Sequence, residues 1–259
     1  MGKFDGFLIC SDCDGTLMNS NGQISAENAA AIRRFQQEGG RFTVATGRGA
    51  AHIRRFSAAF VPNAPLVICN GCFVVDEQSG EVLQEYLLDE RVHRVLEYAV
   101  ARFPSLAAVR IVYGQDGAFD MKRDEPPGFD RRYEIPDPWT KLLFAAEPRA
   151  TRRIQKRLTA LFGGEYLCER SFRFCVECYR PEGSKGGGVA VLRRIFGDSV
   201  HTVVGIGDSE NDISLLKEAD IGYAVGNALP AVKAAADRVT VRNDDHAIAR
   251  VIAELEGGR

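Results

Sequence analysis

Hydropathy alternates along this chain in a way that few folds accommodate, stops, and then starts again. Over residues 1–85, short apolar runs alternate with amphipathic stretches, the pattern of strands buried on both faces and joined by crossover helices. "GFLICS" reads as a first strand. "SAENAAAIRRFQQEGG" reads as a helix with Ser25 as N-cap, Ile32 and Phe35 inward and Gly39 as the stop. "RFTVAT" is a second strand, "AAHIRRFSAAF" a second helix, "PLVICNG" a third strand, and "FVVDEQSGEVLQEY" a hairpin turning on Ser79-Gly80. From residue 182 the alternation resumes: a helix from Ser184 to Phe196, the strand "HTVVGIG", the helix "ENDISLLKEA" and the strand "IGYAV". A short helix after Asn227, "RVTV" and a terminal helix from Asp245 complete it. Residues 1–85 and 182–259 therefore describe one α/β unit, a doubly wound, Rossmann-like parallel sheet written in two pieces.

Residues 86–181 break the pattern. A helix near Asp89 to Phe103, the strands "AAVRIVYG" and "KLLFAAE", the helix "PRATRRIQKRLTALFG" and the strands "EYLCER" and "FRFCVECY" read as an inserted α+β cap of ordinary small-domain size. The polar, Pro-rich stretch "RDEPPGFDRRYEIPDPW" lies inside it, and "RPEGSKGGG" closes it. Ser79-Gly80 and Pro181-Gly183 are candidate hinges for such a cap.

Several function classes are excluded by bulk properties. A formal charge of −2 supplies no basic field for nucleic acid. No apolar stretch approaches the roughly 20 residues of a membrane span, and Asp5, Asp12 and Asp14 interrupt any N-terminal leader. A cytoplasmic protein is expected, monomeric or weakly dimeric, with no nucleic-acid or membrane partner. Cys10/Cys13, Cys69/Cys72 and Cys175/Cys178 have CxxC spacing, and Cys168 is left over. In a strand, an offset of three points two side chains to opposite faces, which is poor geometry for a shared metal. These thiols are expected to pack as small hydrophobes.

In open α/β sheets, ligands bind beyond the carboxyl ends of the strands. The first strand ends in Asp12-Cys13-Asp14, the second in Thr46-Gly47-Arg48, and "HTVVGIG" leads into Asp208, while Lys185 opens the helix that follows the insertion. Carboxylates gathered at one edge repel unless a cation joins them. Oxygen-only ligands suit Mg²⁺ bound through carboxylates, waters and a substrate phosphate. In such a site one aspartate can attack phosphorus, and an acid two residues on can protonate the leaving oxygen and then activate water. Thr46 and Lys185 would hold the remaining phosphate oxygens.

"DCDGTL", "ATGR", "GSKG" and "GDSENDISLL" resemble the four motifs of the haloacid dehalogenase superfamily of phosphohydrolases. A cap between the second and third motifs, Asn70-Gly71 after the third strand, and "VGNA" at 225–228 are similar to its Cof-like branch. The resemblance spans the core; in the cap it is architectural only. It implies Asp12 as nucleophile and Mg²⁺ ligand, Asp14 as acid/base giving the metal its main-chain carbonyl, and Asp208 completing the metal site. It further implies phosphate or substrate contacts from Thr46, Gly47, Arg48, Asn70, Gly71, Lys185 and Asn211, with Asp212 behind the metal. His246 stands where the family pattern has Gly.

The implied activity is a Mg²⁺-dependent phosphatase for a small phosphorylated metabolite, a sugar phosphate foremost, through an aspartyl-phosphate. A phosphotransferase or phosphomutase using the same intermediate is the alternative, and a non-catalytic binding protein the third reading. In the cap, Lys122, Arg123, Arg131, Arg132, Tyr133 and Trp139 are candidates for reading the substrate, against the plainer expectation of an exposed connection. Arg152, Arg153, Lys156 and Arg157 are expected on a solvated helix face opposite Ile154, Leu158 and Leu161.

Overall fold

The computed structural model describes residues 2–55, 61–125, 128–129, 135 and 137–257. The chain opens with β1 (Phe7–Ser11), α1 (Ala26–Gln37), β2 (Arg41–Val44), α2 (Ala50–Arg54), β3 (Leu66–Ile68), β4 (Phe73–Val75) and β5 (Val82–Glu85). Its middle holds α3 (His93–Arg102), β6 (Leu106–Tyr113), β7 (Gly117–Lys122), β8 (Lys141–Ala146), α4 (Pro148–Phe162), β9 (Leu167–Phe172) and β10 (Cys175–Tyr179). It ends with α5 (Lys185–Phe196), β11 (Thr202–Gly207), α6 (Ile213–Glu218), β12 (Ile221–Ala224), α7 (Pro230–Ala235), β13 (Arg238–Val239) and α8 (Ala247–Gly257).

The first sheet is parallel, in the order β13-β12-β11-β1-β2, and a parallel bridge between Ala45 and Val67 carries it on to β3. β1 explains the layering. Leu8 and Cys10 pack in one cluster with Val189, Leu192 and Leu215 of α5 and α6. Ile9 packs in another with Ile32, Phe35, Val251 and Ile252 of α1 and α8. A period of two in a strand apolar on both faces thus places helices on both sides of the sheet. β2 and β11 flank β1, so the crevice beyond the end of β1 is the topological switch point where such sheets bind ligands. α1 starts as expected, with Ser25 Oγ accepting from Asn28 N at 3.2 Å, and the chain leaves it through Gly39 at φ +93°.

The middle of the chain forms an antiparallel sheet in the order β7-β6-β8-β10-β9. Val109, Ile111, Leu142, Phe144 and Val176 pack with Leu96 and Leu158 of α3 and α4 on one face. Arg110, Val112, Lys141, Leu143 and Glu177 occupy the alternate positions. Leu87 packs with the core cluster and Leu88 with that of the cap; on the way back Cys178 packs with the cap and Tyr179 with the core.

Three local expectations need correction or completion. The strand β7 was not assigned from sequence; its inward Phe119 and Met121 alternate with exposed residues on an edge next to a polar run. Leu161 is 46% exposed, because α4 buries only Thr151, Ile154 and Leu158. Ser79-Gly80 sits at the tip of the β4–β5 hairpin, before the chain enters the cap, which is no place for a cap hinge. The expected continuation of the second helix over residues 56–60 lies outside the described residues. The leftover Cys168 meets Cys178, its cross-strand neighbour, with sulfurs 2.8 Å apart. Burial pushes the thiols of Cys10 and Cys175 up to about 12 and that of Cys69 to about 11, which disfavours thiolate chemistry.

Candidate active site

After β1 the main chain makes one wide, non-helical turn, with Asp14 extended at ψ 119°, closed by Leu17 N donating to Asp12 O at 3.2 Å and Met18 N to Cys13 O at 2.9 Å. Gly15 takes φ +77° within it, and a Cβ there would come within 2.8 Å of Asp208 Oδ2. Glycine at this position lets the turn close onto the end of β11. Thr16 Oγ1 donates to Asp208 Oδ1 at 3.3 Å. A capping box then starts the next helical segment: Asp212 Oδ2 accepts from Asp208 N at 2.9 Å and Ser209 N at 2.8 Å. Lys185, brought in at the first turn of α5, donates from Nζ to Asp12 Oδ1 at 2.6 Å and Asp212 Oδ1 at 2.5 Å. Four residues from distant parts of the sequence meet at one point.

The electrostatics of that point are unbalanced. One carboxylate oxygen each from Asp12, Asp208 and Asp212 lies within 4.8 Å of the others. Lys185 is 2% exposed; burial works against its charge, yet Asp12 and Asp212 hold its ammonium well above the ordinary lysine value. One ammonium cannot neutralise three acids. Burial, and then the charges of Asp212 and Asp208 against the pull of Lys185, raise Asp12 well above the carboxylate range. Burial and Asp212 push Asp208 up to about 7. Asn211 Oδ1 is buried with no hydrogen-bond partner among the described residues, although its Nδ2 donates to Asn70 Oδ1 at 3.2 Å. An all-oxygen donor set, uncompensated negative charge and an orphan acceptor that could accept a hydrogen bond from a bound water fit a hydrated, hard divalent cation.

A cavity of about 370 Å³ opens over this cluster. Asp12, Asp14, Gly47, Arg48, Lys185 and Asn211 line it from the core. Asp208 and Asp212 stand behind. Asp14 does not join the acid cluster through its carboxylate, which receives both Nε and Nη2 of Arg48 at 2.7 Å. Arg48, expected on phosphate, therefore holds the expected acid/base as a two-bond fork. Thr46 is fully buried behind the lining residues, its hydroxyl accepting from Arg48 N at 3.2 Å. Asn70 and Gly71, expected at the substrate, do not line the cavity. Asn70, at φ +69°, spends its amide on Glu177 and Asn211, and a Cβ on Gly71 would strike Ser184 O at 2.0 Å.

The cap side of the cavity differs from the sequence expectation. Trp139 is fully buried, donating from Nε1 to Ile135 O at 3.1 Å and stacking on His93, so it builds the cap core. Arg123 caps carbonyls of Leu106 and Phe103, and Lys122 pairs with Glu125 at the surface. Arg131, Arg132 and Tyr133 lie outside the described residues. The residues that do face the cavity include Arg110, Val112, Lys141, Leu143, Phe172 and Glu177. One signal for them was present in the sequence: a lysine and a glutamate each inside an otherwise apolar strand, "KLLFAA" and "CVECY".

Residues 9–252 match the family of haloacid dehalogenase-like hydrolases. The chain belongs to that family. This haloacid dehalogenase-like hydrolase is 26% identical to pyridoxal phosphate phosphatase YbhA of Escherichia coli (strain K12), over 95% of this chain and 97% of that protein. It is 25% identical to the HMP-PP phosphatase of Klebsiella pneumoniae (strain 342), over 92% of this chain and 90% of that one. The crystal structure of a haloacid dehalogenase-like hydrolase from Bacteroides thetaiotaomicron aligns with a TM-score of 0.76 at 27% identity, covering 96% of this chain and 98% of the other. The family read from the four motifs is the family found, and the expected class of phosphoric monoester hydrolase agrees with the relatives' names. No helix among the described residues is long and apolar enough to cross a membrane.

Proposed function

We propose that this hydrolase is a Mg²⁺-dependent phosphatase for a small phosphorylated metabolite, with residues 1–85 and 182–259 as catalytic core and 86–181 as cap. The observation that carries the reading is the meeting of Asp12, Asp208, Asp212 and Lys185, of which Asp12 and Lys185 line the cavity. Asp12 and Asp208, with the main-chain carbonyl of Asp14, would hold the ion, Asp212 supporting them. When bound, the ion would offset the charge of the acids and of the phosphate brought beside them.

Lys185 holds Asp12 Oδ1, which orients the carboxylate and leaves Oδ2 for attack on phosphorus. The Asp12–phosphorus bond forms as the ester oxygen departs, and Asp14 gives that oxygen its proton. Asp14 then takes a proton from water, whose oxygen cleaves the aspartyl-phosphate and restores both aspartates. Asp14 must leave the Arg48 fork to do so, and an arriving phosphate dianion competes for the same guanidinium. Gly47 and Lys185, which line the cavity, are proposed to complete the phosphate shell, with Thr46 bracing the Arg48 main chain behind them.

A sugar phosphate, the expectation from sequence, fits the cavity's size, and so does pyridoxal phosphate, on which the relative YbhA acts. Phosphate release from a panel of phosphomonoesters with Mg²⁺, with EDTA, and with Asp12→Asn tests the reading. EDTA is expected to abolish turnover and Asp12→Asn to cost at least about a thousandfold, since it removes the nucleophile itself. A variant with wild-type rates would exclude the aspartyl-phosphate. Conversion of a hexose 1-phosphate to its 6-phosphate without phosphate release would instead select the mutase reading.

A further inference from the structure

The cap sheet turns one face to α3 and α4 and the other to the cavity, and the second face carries an ion pair that none of the four motifs contains. Lys141 on β8 and Glu177 on β10 are each 4% exposed, with Nζ 2.6 Å from Oε2. Burying two opposite charges is expensive, and apolar side chains of matched volume are often as stable, so cap stability does not account for the pair.

Its hydrogen bonds lead into the core. Lys141 Nζ also donates to Gly47 O at 3.0 Å, in the loop between β2 and α2. Asn70 Nδ2 donates to Glu177 Oε2 at 2.5 Å, and Ser171 Oγ donates to Oε1 at 2.5 Å. Asn70 Oδ1 accepts from Asn211 Nδ2, so one continuous chain links the cap pair to the segment that carries Asp208 and Asp212. Both oxygens of the Glu177 carboxylate are engaged. The lysine is not: an ammonium has three protons, Gly47 and Glu177 take two, and the third is left for the cavity that Lys141 lines. Val112, Leu143 and Phe172 make an apolar wall beside it, with Phe172 59% exposed.

We propose that Lys141 is a specificity-determining residue whose remaining ammonium proton binds an acceptor oxygen on the leaving group of the phosphoester. Glu177 and Gly47 fix its position, and the wall of Val112, Leu143 and Phe172 receives one face of a ring. The substrate class is therefore the phosphate ester of a ring compound bearing an acceptor oxygen. This rests on the phosphatase reading above.

The test compares kcat/KM on pyridoxal 5′-phosphate and glucose 6-phosphate, whose rings carry acceptor oxygens, with that on phenyl phosphate, whose ring carries none. The wild type is expected to prefer at least one oxygen-bearing ester over phenyl phosphate. Lys141→Met is expected to reduce that preference tenfold or more, mainly through KM. The double variant Lys141→Met/Glu177→Leu replaces the pair with apolar groups of similar volume and must show the same loss, which separates specificity from misfolding. A wild type without the preference, a preference kept in both variants, or an equal fall on all three esters overturns the role of Lys141 and leaves the phosphatase reading standing. A wild type that releases phosphate from none of the three, or from any wider panel, overturns that reading itself.

Discussion

Glu169 on β9 accepts from the Tyr179 hydroxyl at 2.5 Å, and burial, despite that bond, pushes its carboxyl up to about 7. The folded chain therefore keeps a proton that the unfolded chain releases near the ordinary glutamate value of about 4.3. The sign follows: this contribution to stability is complete below that value and is lost as pH rises towards 7. Urea unfolding of wild type and Glu169→Gln at pH 5 and pH 7 should show a fall with pH that is smaller in the variant, where Asp12 and Asp208 still contribute theirs; parallel profiles would remove Glu169 from the account. A second residue answers a question raised by the sequence. His246 occupies a left-handed position, φ +61° and ψ 50°, which is why the family pattern has glycine there, and its Nδ1 lies 3.0 Å from the capping Ser25 Oγ. Neither feature belongs to the acid cluster.

Helix α5 begins with Lys185-Gly186-Gly187-Gly188, a poor start on propensity, since each glycine costs up to ~1 kcal/mol against alanine. Contact distances supply the reason. A Cβ on Gly186 would lie 2.4 Å from Ser214 O of α6, and one on Gly188 would lie 2.3 Å from Val67 Cγ1 of β3. The helix is pressed between two neighbours so that Lys185 can reach Asp12 and Asp212. Gly186→Ala is expected to cost about 1–3 kcal/mol through overpacking and to lower phosphatase activity by displacing Lys185. Thermal unfolding and phosphate release read the two effects, and a variant as stable and active as wild type would contradict the packing argument. At this scale the elements of core and cap were legible in the sequence, β7 excepted, but of the side chains that meet at the cavity only those of the core were. Asp12, Asp208 and Lys185 could be placed because a doubly wound sheet delivers strand ends and helix starts to one edge. Lys141 and Glu177 could not, because their meeting with Gly47 and Asn70 depends on how the two sheets face each other, which local periodicity does not encode. Trp139 misled for the mirror reason: a large aromatic in a Pro-rich stretch looked available and is instead the cap's own core.

Across the whole molecule, cap and core are fastened at separated points. Arg170 of β9 pairs with Glu210, and Asp116 Oδ1, in the β6–β7 turn, accepts from Ala51 N at the start of α2 at 2.9 Å. Lys141 adds its bond to Gly47. A cation at the acid cluster would relieve repulsion that the folded chain alone carries, so Mg²⁺ should raise the melting temperature as a ligand of the folded state. The increment should grow with Mg²⁺ concentration and shrink strongly in Asp208→Asn; an equal increment in both proteins would place the ion elsewhere. The cap sheet has a further consequence. Alternate residues of β6, β8 and β10 overhang the crevice while their neighbours pack with α3 and α4. Exchanging an overhanging side chain with no bond to the core, such as Val112 or Leu143, alters the chemistry offered to a guest without disturbing the layer beneath it, so new preferences can be acquired one substitution at a time on an unchanged reaction centre.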